Sequence, residues 1–180
     1  MGNHAMSRKF LVIASFVAGL LLLPFGAYLY LAFGRPPVAT ADKPFPLEAK
    51  IVSVPLNARI RREMPSSAPI PASDANLNAG AGIYEDKCEM CHGTQDEPSA
   101  IGKSMFPNAP QLWVKQKNGT VGVSDDPAGE TYWKVKNGIR LTGMPAYGKA
   151  LSETQIWQVS LLLSMADKPL PAEAAKTVGQ

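Results

Sequence analysis

Cysteine and histidine are nearly missing from this chain, and their scarcity excludes several classes of protein. The only cysteines, Cys88 and Cys91, stand two residues apart, so no disulfide framework closes long loops. The only histidines are His4 and His92, so a four-ligand Cys/His zinc site would need carboxylates or a second chain. Charged residues make up 18% against 46% apolar, which is not the balance of an extended disordered chain. Positive charge is neither abundant nor clustered. The net excess is +3, and Arg8 and Lys9 contribute to it ahead of an apolar run. A nucleic-acid-binding footprint is therefore absent. A length of 180 residues suits one compact domain with appendages.

The longest apolar run is Phe10 through Phe33, without a charge and broken only by Ser15, Gly19, Pro24 and Gly26. As a helix it covers roughly 36 Å, enough to cross a hydrocarbon core of about 30 Å. Lipid forces such a segment to pair its backbone internally. Arg8 and Lys9 favour a cytoplasmic N-terminus, residues 1–9, with everything after residue 33 exported. This predicts a single-pass protein of the inner (cytoplasmic) membrane with its bulk on the periplasmic or outer side. The rival reading is a cleaved signal peptide, for which Ala39-Thr40-Ala41 offers a cleavage site. The run is, however, much longer than the about 7–15 residues of a signal core.

Residues 34–73 contain Pro36, Pro37, Pro44, Pro46, Pro55, Pro65, Pro69 and Pro71. Such density predicts an extended or polyproline-like linker. Within it, Ile51, Val52, Val54, Leu56 and Ile60 are apolar enough to dock on a surface, and Arg59, Arg61 and Arg62 could sit near anionic headgroups. A helical domain follows over residues 74–167. Ser73 or Asp74 caps a helix reaching about Cys88, with Leu77, Ala81, Tyr84 and Cys88 on one face. Residues 93–130 read mostly as loop. A short helix covers Glu130 to Asn137 and stops at Gly138. The last helix opens at Ser152-Glu-Thr-Gln155, a capping motif, and runs to about Ala166, with Pro169 beyond it. Residues 168–180 read as a polar, frayed tail. Three short helices are too little to fill a self-sufficient core, so something large and apolar belongs inside.

Residues 88–92 read Cys-Glu-Met-Cys-His, the attachment signal for c-type haem. The spacing lets a helix end present both thiols to one haem edge, while the histidine turns its imidazole toward iron. A thioredoxin-like Cys-x-x-Cys pair would want a βαβ context that is missing. With so few other ligands, zinc is disfavoured too. For the sixth coordination position the thioether candidates are Met64, Met90, Met105, Met144 and Met165. Met90 lies between the anchoring cysteines, and Met165 sits at a helix end where a core role suits it. Met144 occupies an irregular stretch, Leu141-Thr-Gly-Met-Pro-Ala-Tyr147. There Gly143 permits close backbone approach and Pro145 stiffens the presentation. Met144 is the preferred ligand, with Met105 the alternative. His/Met ligation closes both axial positions and raises the reduction potential.

With these parts the chain resembles the class I cytochromes c, in particular small bacterial mono-haem, membrane-anchored members. The likeness rests on Ala79-Gly80 to Tyr84 before Cys-x-x-Cys-His, then Ala109-Pro110-Gln111-Leu112 and Asn137-Gly138-Ile139-Arg140. It continues through Gly143-Met144-Pro145-Ala146 and a terminal Ile156-Trp157-Gln158-Val159 helix. The resemblance implies an all-α fold in which the first and last helices of the haem domain cross closely, Gly80 permitting the contact and Tyr84 packing near Trp157. It implies one haem c bound through Cys88 and Cys91, with His92 and Met144 as iron ligands. It further implies a proline carbonyl that accepts from His92 Nδ1; Pro110 fits best, with Pro98 and Pro107 as competitors. Trp133 and Arg140 would lie near the haem propionates. The function implied is an electron carrier rather than an enzyme, exchanging single electrons with membrane redox complexes as donor and acceptor, with no nucleic acid and no small-molecule substrate. A haem subunit fixed in a larger respiratory, dehydrogenase or photosynthetic complex is the alternative.

Overall fold

The computed structural model describes residues 8–179. The chain divides into two compact units, residues 1–44 and 45–180. Among the described residues the elements are eight helices and no strand, with one isolated antiparallel bridge between Lys115 and Val121. His4 and most of the predicted cytoplasmic segment 1–9 lie outside the described residues.

In the first unit, α1 spans Arg8–Phe33, carries Pro24 within it, and buries none of its residues. It is the one described helix long and apolar enough to cross a membrane.

The second unit is built on α3 (Asp74–Lys87) and α7 (Glu153–Ser164), which make the most extensive helix–helix contact among the described residues. Leu77, Ala81 and Tyr84 of α3 meet a face of α7 holding Ile156, Trp157, Val159 and Leu161 to Leu163, all buried. Gly80 lets the backbones approach, since a Cβ there would strike the Gln158 carbonyl and crowd Leu162. Both helices begin on serine caps. Ser73 accepts from the Asn76 N–H, and Ser152 forms a capping box with Gln155. The buried Ser160 hydroxyl is satisfied by donating to the Ile156 carbonyl at 2.7 Å. The short helices α4 (Glu89–His92) and α5 (Ala100–Lys103), then α6 (Ala128–Asn137), complete the framework around the cavity described below.

Two expectations need correction. Residues 34–73 are not extended throughout: Glu48–Glu63 forms α2, with Pro55 inside it. Between Pro46 and Pro65 the sequence holds only that one proline, and the flanking residues are mostly good helix formers. The Glu48 carboxylate accepts from the Phe45 N–H at 2.8 Å, and Arg59 pairs with Glu63 one turn on, also at 2.8 Å. Ile60 is buried, Leu56 is half-buried, and α2 packs on α6. Nor is the tail frayed, because Ala172–Val178 forms α8 against α3. Ala174 and Val178, one turn apart, are fully buried. Asn78 ties the helix down, donating to the Glu173 carboxylate at 2.8 Å and accepting from the Ala174 N–H at 3.1 Å. Within the same core Tyr84 meets Trp113 edge-on with centroids 5.6 Å apart, and Trp157 stacks on Tyr132 at 4.2 Å.

Candidate functional site

The end of α3 runs into α4 through Cys88, whose backbone N–H still bonds to the Tyr84 carbonyl. The Cys-x-x-Cys-His stretch therefore sits on a short helical turn. That turn is closed by Gly93, whose φ of +68° suits the residue without a side chain. Three contacts fix it from outside. The Tyr84 hydroxyl donates to the Gly93 carbonyl at 2.6 Å, and the Leu112 N–H bonds to the His92 carbonyl at 3.3 Å. The Gln111 amide reaches the Cys91 carbonyl at 3.3 Å while its oxygen accepts from the Ser99 N–H at 2.6 Å. Gly102 belongs to the same clamp, because a Cβ there would strike the Cys91 carbonyl.

His92 is held by its ring. Its Nδ1 lies 2.7 Å from the Pro110 carbonyl, which can only accept, so Nδ1 carries the proton and Nε2 keeps a lone pair. Burial lowers the His92 pKa, against the opposing pull of the Pro110 bond, and the imidazole is neutral and donor-ready. Burial also pushes the Cys88 thiol up to about 12, with Cys91 and Asp86 adding to the effect.

Cys88, Cys91 and His92 open onto a cavity of about 220 Å³, whose walls are mostly apolar: Leu112, Val123, Val135, Ile139 and Leu163, with Pro107 and Pro110. Protein interiors seldom leave hollows of this size, so the cavity is the place for the large apolar group that the sequence lacks. Met144 borders the same cavity on a closely tied loop. Thr142 donates through its hydroxyl to the Ile139 carbonyl at 2.7 Å and accepts from the Met144 N–H at 3.1 Å. The Ile139 N–H returns to the Met144 carbonyl at 3.3 Å. Met105 also borders the cavity, and its methyl fills the space a side chain at Gly143 would need.

Two thiols, a neutral imidazole with a free nitrogen, thioether sulfur and apolar walls fit the attachment, ligation and burial needs of a c-type haem. Among the described residues no cluster of three or more His, Cys, Asp or Glu could hold a metal ion instead. Residues 75–161 match the family model described as Cytochrome C oxidase, cbb3-type, subunit III. Residues 75–161 are a c-type cytochrome domain. No curated protein and no solved structure matches the chain.

Five of the predicted site residues of this cytochrome domain border the cavity: Cys88, Cys91, His92, Met144 and Pro110. Three do not. Tyr84 is buried behind the motif and acts on it through Gly93. Trp133 is engaged by α2, donating from its indole N–H to the Glu63 carboxylate at 3.0 Å, with the Arg59 guanidinium 5.9 Å from its ring centre. Arg140 is exposed, just past the reversal at Gly138. Two residues were missed. Lys134 borders the cavity half-buried; burial pulls its pKa down, but Glu130 at 2.7 Å and Asp126 at 3.2 Å more than offset this and keep it charged. Its i,i+4 spacing from Glu130 was the available signal. Tyr147 also borders the cavity and donates to the Lys87 carbonyl at 2.7 Å. It lies two residues past Pro145, and nothing local pointed to that partner.

Proposed function

We propose that this chain is a membrane-anchored, mono-haem electron carrier without enzymatic activity, held by α1 in the cytoplasmic membrane with residues 45–180 on its outer face. The observation that carries the reading is the convergence of Cys88, Cys91, a proline-held His92 and Met144 on one apolar cavity. Cys88 and Cys91 would hold the haem through thioethers, and His92 and Met144 would supply an imidazole nitrogen and a thioether sulfur as ligands to its iron. When bound, haem c supplies a one-electron iron couple. The Pro110 carbonyl fixes the imidazole in one tautomer and orientation. The tied loop from Ile139 to Met144 presents its sulfur with little ordering cost. The apolar walls keep bulk water away, which limits solvent reorganisation when charge changes. Anchoring replaces free diffusion with a high effective concentration at membrane partners.

The experiment is the Met144→Ala variant, followed by oxidised and reduced spectra, a pyridine haemochrome assay and carbon monoxide binding to the ferrous protein. Altered spectra and ready carbon monoxide binding are expected, while wild type resists the gas. Unchanged spectra would assign the sixth position to another atom, and Met105→Ala then becomes the deciding variant. The second reading, a haem subunit fixed in an oxidase, is favoured by the description of the matching family model. Co-purification of the haem with other subunits after mild solubilisation supports that reading, and release as a single chain supports the carrier.

A further inference from the structure

We infer that α2 is an interfacial helix whose outer face lies on an anionic lipid surface, an inference that rests on the membrane-anchored reading above. α2 presents two sides. Leu56 and Ile60, one turn apart, turn toward the cytochrome domain, and Ile60 is only 2% exposed. Ile51 and Val54, at 67% and 68% exposure, form the opposite stripe. By helical spacing Lys50, Arg61 and Arg62 flank this stripe, and among the described residues neither arginine takes part in a salt bridge. Apolar residues on one helix face with cations outside any salt bridge beside them are what an anionic headgroup layer accommodates, apolar groups at the acyl boundary and guanidinium groups at phosphates. Covalent connection favours the same occupant. Only residues 34–47 separate α1 from α2, a connector of at most about 50 Å, so a bilayer holding α1 is always within reach. A docked α2 would fix which side of the cytochrome domain faces the membrane, because Glu63 and Arg59 of the same helix grip Trp133.

The test uses the full haem-loaded chain, in which thioether formation consumes Cys88 and Cys91. Single nitroxide labels are placed through Val54→Cys, Leu21→Cys and Asn118→Cys. Each protein is reconstituted in vesicles of phosphatidylcholine alone or with phosphatidylglycerol, and accessibility to dissolved oxygen and an aqueous nickel chelate is measured. The expected result is chelate protection at residue 54 in anionic vesicles, full access at residue 118, and deep burial at residue 21. Arg61→Glu with Arg62→Glu should lower the docked-to-free ratio at residue 54 by about tenfold or more. Equal chelate access at residues 54 and 118, equal protection in both lipid mixtures, or protection that grows with protein density overturns the inference. If residue 21 is itself water-accessible, the anchored reading fails; if it is buried while residue 54 stays open, only the inference fails.

Discussion

The Tyr147 hydroxyl donates to the Lys87 carbonyl at 2.7 Å, joining the loop that carries Met144 to the helix end that carries Cys88. The two halves of the site lie far apart in sequence, and this bond is a direct link between them. The Tyr147 backbone N–H adds a second tie, to the Val135 carbonyl at 3.0 Å. Tyr147 is thus held at both its backbone and its hydroxyl while bordering the cavity.

Removing only the hydroxyl, in Tyr147→Phe, should lower unfolding stability by about 0.5–1.5 kcal/mol. It should also broaden the environment of Met144, because the ring remains but its anchor to α3 is gone. Chemical denaturation measures the first effect, and the NMR line shape of the Met144 methyl measures the second. An unchanged methyl signal would show that the loop's own bonds around Thr142 suffice.

Gly80 and Gly82 make a matched pair on α3. A Cβ at Gly80 meets the Gln158 carbonyl, which as backbone cannot step aside, while a Cβ at Gly82 meets nothing within 4 Å. Alanine at an open helix position gains about 1 kcal/mol over glycine. Gly82→Ala should therefore raise stability by about that amount, and Gly80→Ala should lower it by about 2 kcal/mol or more as α3 and α7 are forced apart. Thermal melts of the two variants decide this; a stabilised Gly80→Ala protein would contradict the close approach.

What the sequence disclosed, and what it hid, divides along the range of the interactions. Cys88, Cys91 and His92 stand out through their motif spacing and Met144 through its flanking Gly143 and Pro145, and all four border the one cavity. The Ser152–Gln155 capping box is local and could be read directly. The bond from Trp133 to Glu63 was hidden because Glu63 belongs to a segment whose prolines suggested coil. Arg140 follows Gly138, whose positive φ redirects the chain. The helix α8 was hidden because its buried face amounts to Ala174 and Val178 in an otherwise polar tail. Tyr147 had no local signal, since its partner comes from a distant helix end.

Acid should loosen α2 from α6. The Glu63 carboxylate is bonded by Arg59 and by the Trp133 indole, and both hold its pKa below the usual 4.5. A depressed carboxylate means the folded state binds fewer protons than the unfolded one. Its contribution is then complete above the usual value and is lost as pH falls through the folded value. The Trp133 indole N–H resonance should shift on acidification with a midpoint below 4.5, and the shift should vanish in Glu63→Gln. A midpoint at or above the ordinary carboxylate value would mean that the contact is not maintained in solution.

Gly143 offers a sharper test of how the loop is built, because the atom opposing it belongs to a flexible side chain. A Cβ at 143 falls on the Met105 methyl, so Gly143→Ala must displace either Met105 or the Met144 loop. Overpacking of this kind costs about 1–3 kcal/mol. Gly143→Ala alone should therefore be destabilised, and adding Met105→Ala should recover part of the loss by vacating the contested space. A double-mutant cycle read by denaturation gives the coupling directly. Positive coupling places Met105 against the loop as a packing partner. Simple additivity would mean that Met105 has withdrawn from Gly143 once the cavity is filled, and its sulfur would then have to be sought elsewhere in the site.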